Sequence, residues 1–178
     1  MKEAVIVVDM VNDFVYDKFG SEGAQKIVSN TKKLLENAKD SEILIIYSQD
    51  SHSNDDPEMD IWGEHAMEGE KGSETIDELK GFEDVMVKTS TYDPFFKTDL
   101  NEILKEYEIE RVIITGVSTD ICVQHAAGGA FIRGYDIIVL DDCTASMSGD
   151  KHESALEYME NIYGAEITTS EKIIDKWR

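Results

Sequence analysis

Cys122 stands where an apolar, β-branched run gives way to turn residues: Arg111-Val112-Ile113-Ile114-Thr115-Gly116 is followed by Val117-Ser118-Thr119-Asp120-Ile121-Cys122. Ser, Thr and Asp in that position are helix-capping residues, so the sulfur is expected in the first turn of a following helix, at its positive end. A thiol there ionises more readily than a free one, whose pKa is about 8.5, and is a candidate nucleophile. The competing assignment is an inert, packed thiol, because free cysteine is commonly buried. Asp9 closes a second apolar run, Ala4-Val5-Ile6-Val7-Val8, and Lys88 closes a third, Val85-Met86-Val87. A carboxylate there must be solvated at the sheet edge or paired, and an ammonium between it and a thiol would favour both anions. A plain ion pair at a strand end is the other reading of Lys88. Asp50-Ser51-His52 and the later His65 offer a carboxylate and two imidazoles. Such a set leaves coordination positions open on a catalytic Zn²⁺ or Fe²⁺, or it hydrogen-bonds within a loop.

These groups are far apart in the chain, so the elements around them must bring them together. Short β-rich runs recur at Ala4 to Val8, Ile43 to Ser48, Val85 to Val87, Val112 to Thr115, Ile137 to Leu140 and Glu166 to Thr168. Between them, Ala24 to Ala38, Leu100 to Tyr107 and Ala155 to Tyr163 carry apolar residues at helical spacing. Near-continuous Val/Ile runs predict strands buried on both faces, hence an α/β fold with a mostly parallel sheet between helical layers. Ligands of such sheets bind at the carboxyl ends of the strands, where Asp9, Asp50, Lys88 and Cys122 all fall. Residues 51 to 73, with Pro57, Gly63, Gly69 and Gly72, read as a long lid or binding loop.

The length of 178 residues and 41% apolar content suit a single domain spanning 1–178. Lys and Arg number 17 against 38 Asp and Glu, a formal charge of −21 that argues against nucleic acid or anionic membrane partners. The first residues lack a signal-peptide pattern, and no apolar stretch approaches the ~20 residues of a membrane span, so a cytoplasmic location is expected. Two cysteines, Cys122 and Cys143, make no disulfide framework.

Taken in order, Asp9-Met10-Val11-Asn12-Asp13-Phe14, Lys88, and Gly116-Val117-Ser118-Thr119-Asp120-Ile121-Cys122-Val123 resemble the three motifs of the isochorismatase-like cysteine hydrolases, the superfamily of nicotinamidases and N-carbamoylsarcosine amidases. The resemblance covers nearly the whole chain. It implies a three-layer α/β/α sandwich around a six-stranded, mostly parallel sheet, and a catalytic triad of Asp9, Lys88 and Cys122. It also implies a cis peptide between Val117 and Ser118, and an oxyanion hole built from the Ser118 and Cys122 amides. The metal ligands would be Asp50, His52 and His65, with Zn²⁺ the first choice and Fe²⁺ the second. Phe14 and Trp62 hold family pocket positions, and Tyr92 and His125 complete the expected substrate pocket.

The implied activity is hydrolysis of a C–N bond in a small amide or carbamoyl substrate through a thioester, by a homo-oligomer of two or four chains. Vinyl ether hydrolysis of the isochorismatase type, a non-enzymatic metal- or partner-binding protein, and a redox-sensing thiol protein are the alternatives. Two residues and one spacing depart from the family pattern. Val11 stands where Gln is common, and Lys97 where Gly is. The family spacing Lys-x-x-Tyr is one residue longer in Lys88-Thr89-Ser90-Thr91-Tyr92.

Overall fold

In the computed structural model, which describes residues 1–178, the apolar runs become β1 (Glu3–Val8), β2 (Leu44–Asp50), β3 (Val85–Thr89), β4 (Arg111–Val117), β5 (Asp136–Ala145) and β6 (Glu166–Thr168). They form one sheet in the order β3-β2-β1-β4-β5-β6, with every neighbouring pair parallel. The helices are α1 (Asn12–Val15), α2 (Glu22–Lys26), α3 (Val28–Asp40), α4 (Met59–Trp62), α5 (Leu100–Glu106), α6 (Gln124–Ile132), α7 (Gly149–Tyr163) and α8 (Ser170–Trp177).

Period-two alternation sorts the strand side chains into two cores. Val5 and Val7 of β1 pack with Ala24, Leu34 and Leu35 of α2 and α3 and with Ile173 and Ile174 of α8. Ala4, Ile6 and Val8 pack on the opposite face with Leu100 and Leu104 of α5, Ala126, Ala127 and Ala130 of α6, and Leu156 and Met159 of α7. Burial of each Val, Ile or Leu is worth ~1.5–3 kcal/mol, so a strand covered on both faces is stabilised at every residue. That is the physical reason for the unbroken apolar runs.

The strand order reverses between β1 and β4. The chain winds outward from β1 to β3, then returns to lay β4 on the free side of β1, with Val8 opposite Gly116. Diverging connections leave a crevice at such a switch point. Gly116 has φ +109°, and a Cβ there would lie 1.9 Å from the Val8 carbonyl oxygen, so only glycine lets the two strands approach at this level. Asp9 follows β1 directly and Cys122 follows β4 by one turn.

Several boundaries differ from the sequence expectation. The helical stripe from 24 to 38 divides at Ile27 into α2 and α3, with the Ser21 hydroxyl accepting from Ala24 N to cap α2. α8 was not expected; only Ile173, Ile174 and Trp177 mark its apolar side within a polar segment. Residues 51 to 73 are partly regular, containing α4, a 3-10 turn at Lys71–Ser73 and a bridge between His52 and Met67. Two residues after β1 tie this segment down: Asn12 Nδ2 donates to the Lys71 and Glu74 carbonyls, and Asp13 Oδ2 accepts from Ala66 N at 2.7 Å. No helix is long and apolar enough to cross a membrane.

Candidate active site

Asp9 and Cys122 meet at the switch point. Both are buried, and with Asp50 their oxygen and sulfur atoms lie within 4.8 Å of one another. Asp9 leaves β1 in the left-handed region, φ +51°, an uncommon conformation for a residue with a side chain. Its amide donates to Ser48 O, and its Oδ1 accepts from Asp50 N at 2.8 Å, which fixes the carboxylate between β1 and β2. The Cys122 sulfur lies within 4.8 Å of the same carboxylate.

The turn that carries Cys122 is not the α-helical N-terminus that the sequence suggests. Thr119–Val123 forms a π-turn, closed by Val123 N donating to Ser118 O, and α6 begins only at Gln124. Two side chains hold the turn from outside. Asp120 Oδ1 accepts from Ser118 Oγ at 2.8 Å and from Ser146 Oγ at 2.6 Å, while Thr119 Oγ1 pairs with His152, which also contacts Asp141. The Val117–Ser118 peptide is cis.

Electrostatics here correct the expectation of an easily ionised thiol. Burial is the largest influence on Cys122, and the charges of Asp9 and Asp50 add to it, so its pKa lies well above the usual thiol value. Burial and the Asp50 charge likewise raise Asp9, against the hydrogen bonds from Cys122 and Asp50 N. The pair therefore retains its proton at rest.

Lys88 does not join them. Its side chain is 64% exposed and contacts Glu68 Oε1 at 3.4 Å, beside Glu70 and Glu74 rather than in the Cys122 cavity. The inward position on β3 is Thr89, which is buried and donates from Oγ1 to Asp50 Oδ1 at 2.8 Å. Adjacent strand residues point to opposite faces, so one residue decides which of the two reaches the site. The longer Lys88-to-Tyr92 spacing was the sequence signal: counting back from Tyr92, the family spacing ends on Thr89.

Asp50, His52 and His65 do converge, together with Glu58, a residue the sequence reading passed over. All four are buried and present ligand atoms within 4.8 Å of each other. His52 Nδ1 pairs with Asp56 Oδ2 at 3.0 Å, and His65 Nδ1 with the Gly63 carbonyl at 2.7 Å. Each ring thus donates from Nδ1 and turns Nε2 toward the carboxylates, with His52 Nε2 3.3 Å from Asp50 and both Nε2 atoms 3.6 Å from Glu58. His52 Nε2 and Glu58 Oε1 are buried without a hydrogen-bond partner. Burial pulls the His52 pKa down, but Asp50, Asp56 and Glu58 outweigh it and carry it to about 9. Oriented imidazoles with free Nε2 atoms, backed by carboxylate and carbonyl acceptors, fit a divalent metal. Glu58 and Asp56 were hidden because the segment is acidic throughout and has no regular period.

A cavity of about 160 Å³ opens above Cys122. Phe14, Phe19, Trp62 and Tyr92 supply aromatic walls, Ser118 and Ser146 hydroxyls, and Ile121 and Met147 apolar rim. Trp62 Nε1 donates to Tyr92 Oη at 2.9 Å, and Phe19 sits edge-on to both Trp62 and His65. His125 is outside this lining: its Nδ1 is held by Ile121 O, and its ring leans on Tyr92 with centroids 5.4 Å apart. Phe19 was missed because a lone aromatic beyond a turn carries no periodic signal.

Comparison with known proteins agrees with this geometry. The Isochorismatase domain family matches residues 3–172. The crystal structure of an N-carbamoylsarcosine amidase from Thermoplasma acidophilum superposes with a TM-score of 0.89 at 37% identity, covering 96% of this chain and 97% of that one. Nicotinamidase 3 of Arabidopsis thaliana is 30% identical over 86% of this chain and 78% of its own length. A pyrazinamidase of Pyrococcus horikoshii, solved in complex with zinc, has a TM-score of 0.87 at 27% identity, over 95% of this chain and 99% of that one.

Proposed function

Because this chain belongs to the isochorismatase family of hydrolases, we propose that it is a cysteine amidohydrolase, opening the C–N bond of a small amide or carbamoyl compound through a thioester on Cys122. The observation that carries this reading is the Asp9 carboxylate within 4.8 Å of the Cys122 sulfur, both lining an aromatic-walled cavity.

A thiol held protonated at rest must lose its proton as it attacks. Asp9 is the base within reach, and its raised pKa brings it closer to that of the thiol it deprotonates. The sulfur adds to the substrate carbonyl carbon, and the oxygen takes the negative charge facing the Ser118 and Cys122 amides. Each such donor is worth about 2.7–4 kcal/mol in the transition state. As the intermediate collapses, the C–N bond breaks and Asp9 returns the proton to the leaving nitrogen, so ammonia or an amine departs. A water then attacks the thioester, Asp9 takes its proton, the C–S bond breaks, and the proton goes back to sulfur. Lys88 has no part in this sequence, and Thr89 acts only by orienting Asp50.

Asp50, His52, Glu58 and His65 would hold a divalent metal, with zinc favoured by the zinc-bound pyrazinamidase relative. When bound it would supply Lewis acidity and fixed positive charge beside Asp9 and Cys122. The buried quartet also favours the amidase branch over vinyl ether hydrolysis, which has no use for it.

Ammonia release from a panel of small amides and carbamoyl compounds tests the proposal. The native protein is expected to turn over at least one of them. Cys122→Ser is expected to reduce that rate to background with an unchanged melting temperature. Retention of the native rate by the variant would sink the mechanism.

A further inference from the structure

The cavity over Cys122 receives no positive charge from Lys or Arg. Its ionisable lining is Asp9, Asp50, Glu58, His65 and Cys122, and everything else is apolar, aromatic or hydroxyl-bearing. The β3 position that faces the site is the neutral Thr89, while the Lys88 amine lies outside among glutamates. Lys18 is exposed, its ammonium engaged by the Glu64 carbonyl, 5.5 Å from the centroid of the Phe19 ring; it does not line the cavity. A divalent ion on the quartet would balance Asp50 and Glu58 and leave Asp9 uncompensated. With or without metal, an anion entering the cavity meets carboxylates and no Lys or Arg side chain.

From this we infer that the site selects uncharged amides and ureas and rejects substrates that carry a carboxylate. The inference rests on the amidohydrolase reading and narrows it. A carboxylate brought into this space would shed its water without gaining a Lys or Arg partner, and it would sit near the Asp9 carboxylate in a poorly screened environment. The formal charge of −21 on the whole chain opposes its approach as well. An uncharged carboxamide loses none of this, and at about 160 Å³ the cavity suits a small body held between aromatic rings. The comparisons do not decide the point, since N-carbamoylsarcosine is a carboxylate and nicotinamide is neutral.

Pairs that share one ammonia-releasing group and differ in charge test it: N-carbamoylglycine against its methyl ester, and 3-carbamoylbenzoate against methyl 3-carbamoylbenzoate. Ammonia release is measured with the native protein, and binding by calorimetry with Cys122→Ser. The neutral member of at least one pair is expected to lead by about 100-fold or more in kcat/KM, the scale of a like-charge juxtaposition, with the same order in binding. Equal or better use of the acids, in rate or in binding, overturns the inference while leaving the amidase reading intact. Binding of the neutral members without ammonia release keeps the charge selection and removes the hydrolytic reading. If none of the four compounds binds, both readings fall.

Discussion

Asp9 and Cys122 leave the two central strands, β1 and β4, whereas Lys88 and Thr89 lie on β3, the edge strand. At the centre each strand is paired on both sides and covered on both faces, so register and direction are fixed by every neighbour. At the edge only β2 constrains β3, and alternate residues face solvent: Met86 is 40% exposed and Val87 5%. A period of two means that a one-residue offset exchanges the faces. A chemically apt residue therefore reaches the site reliably from the centre, while at the edge it can sit one position away and point outward. The acid–thiol pair and the lysine are the two sides of this contrast.

The largest expected effect tests the central side. Asp9→Asn keeps an oxygen to accept from Asp50 N, so the fold should hold, but the base for Cys122 is lost. A fall of about 10²–10⁴ in kcat/KM is expected from removing a general base. Ammonia release and a thermal melt, run together, check it. An unchanged rate would mean that proton transfer does not belong to the residue leaving β1.

The quartet of Asp50, His52, Glu58 and His65 proposed to hold a metal comes next, because it spans β2 and the segment beyond. His52 without metal has a pKa of about 9, whereas a metal requires its neutral ring. Below that pH every metal loaded must displace a proton. Affinity should therefore rise with pH by about tenfold per unit between 6 and 9 and level off above, since competition ends once the ring is neutral. Zinc affinity measured with a competing chelator across that range gives the slope. A flat profile would remove His52 from the ligand set.

The same contrast explains what was legible in the sequence. The parallel sheet is legible because burial on both faces demands unbroken Val/Ile runs, and the rule that ligands bind at the carboxyl ends of such strands brings Asp9 and Cys122 to one edge. Asp50, His52 and His65 were legible as a spaced set of ligand types. Glu58 was not, because a single glutamate in an acidic, aperiodic segment carries no pattern, and its role arises only when that segment folds back over β1 through Asn12 and Asp13. Thr89 was concealed by composition: beside a lysine, a threonine attracts no chemical attention. Only the one-residue excess before Tyr92 betrayed the shift. That Cys122 follows the end of β4 was legible, but the π-turn that carries it and its raised pKa were not, because turn form, burial and two neighbouring carboxylates depend on tertiary contacts.

A smaller effect is expected from the inward edge residue. Thr89→Val keeps the shape and deletes the hydroxyl that donates to Asp50 Oδ1. Asp50 links the quartet to Asp9, so the loss should appear as a decrease of about 10–100-fold in zinc affinity or in kcat, the usual cost of a supporting hydrogen bond at a metal site. Thr89→Ser, which restores the donor, should recover most of it. Equal behaviour of the Val and Ser variants would reduce Thr89 to a packing residue.

The smallest effect belongs to Lys88, and it sharpens the comparison most. Lys88→Ala removes an exposed ammonium whose partner, Glu68, is also mostly in water, and such pairs contribute little because solvent and salt screen them. Neither kcat/KM nor the melting temperature should change beyond measurement error. The resemblance to a lysine-bearing triad implies the opposite, a loss comparable with that of Asp9→Asn. Assayed side by side at one pH, the two variants separate the alternatives. Equal losses would mean that β3 turns Lys88 inward when substrate is bound; a loss confined to Asp9 would establish a centre that runs on acid and thiol, with the edge strand contributing only the Thr89 hydroxyl.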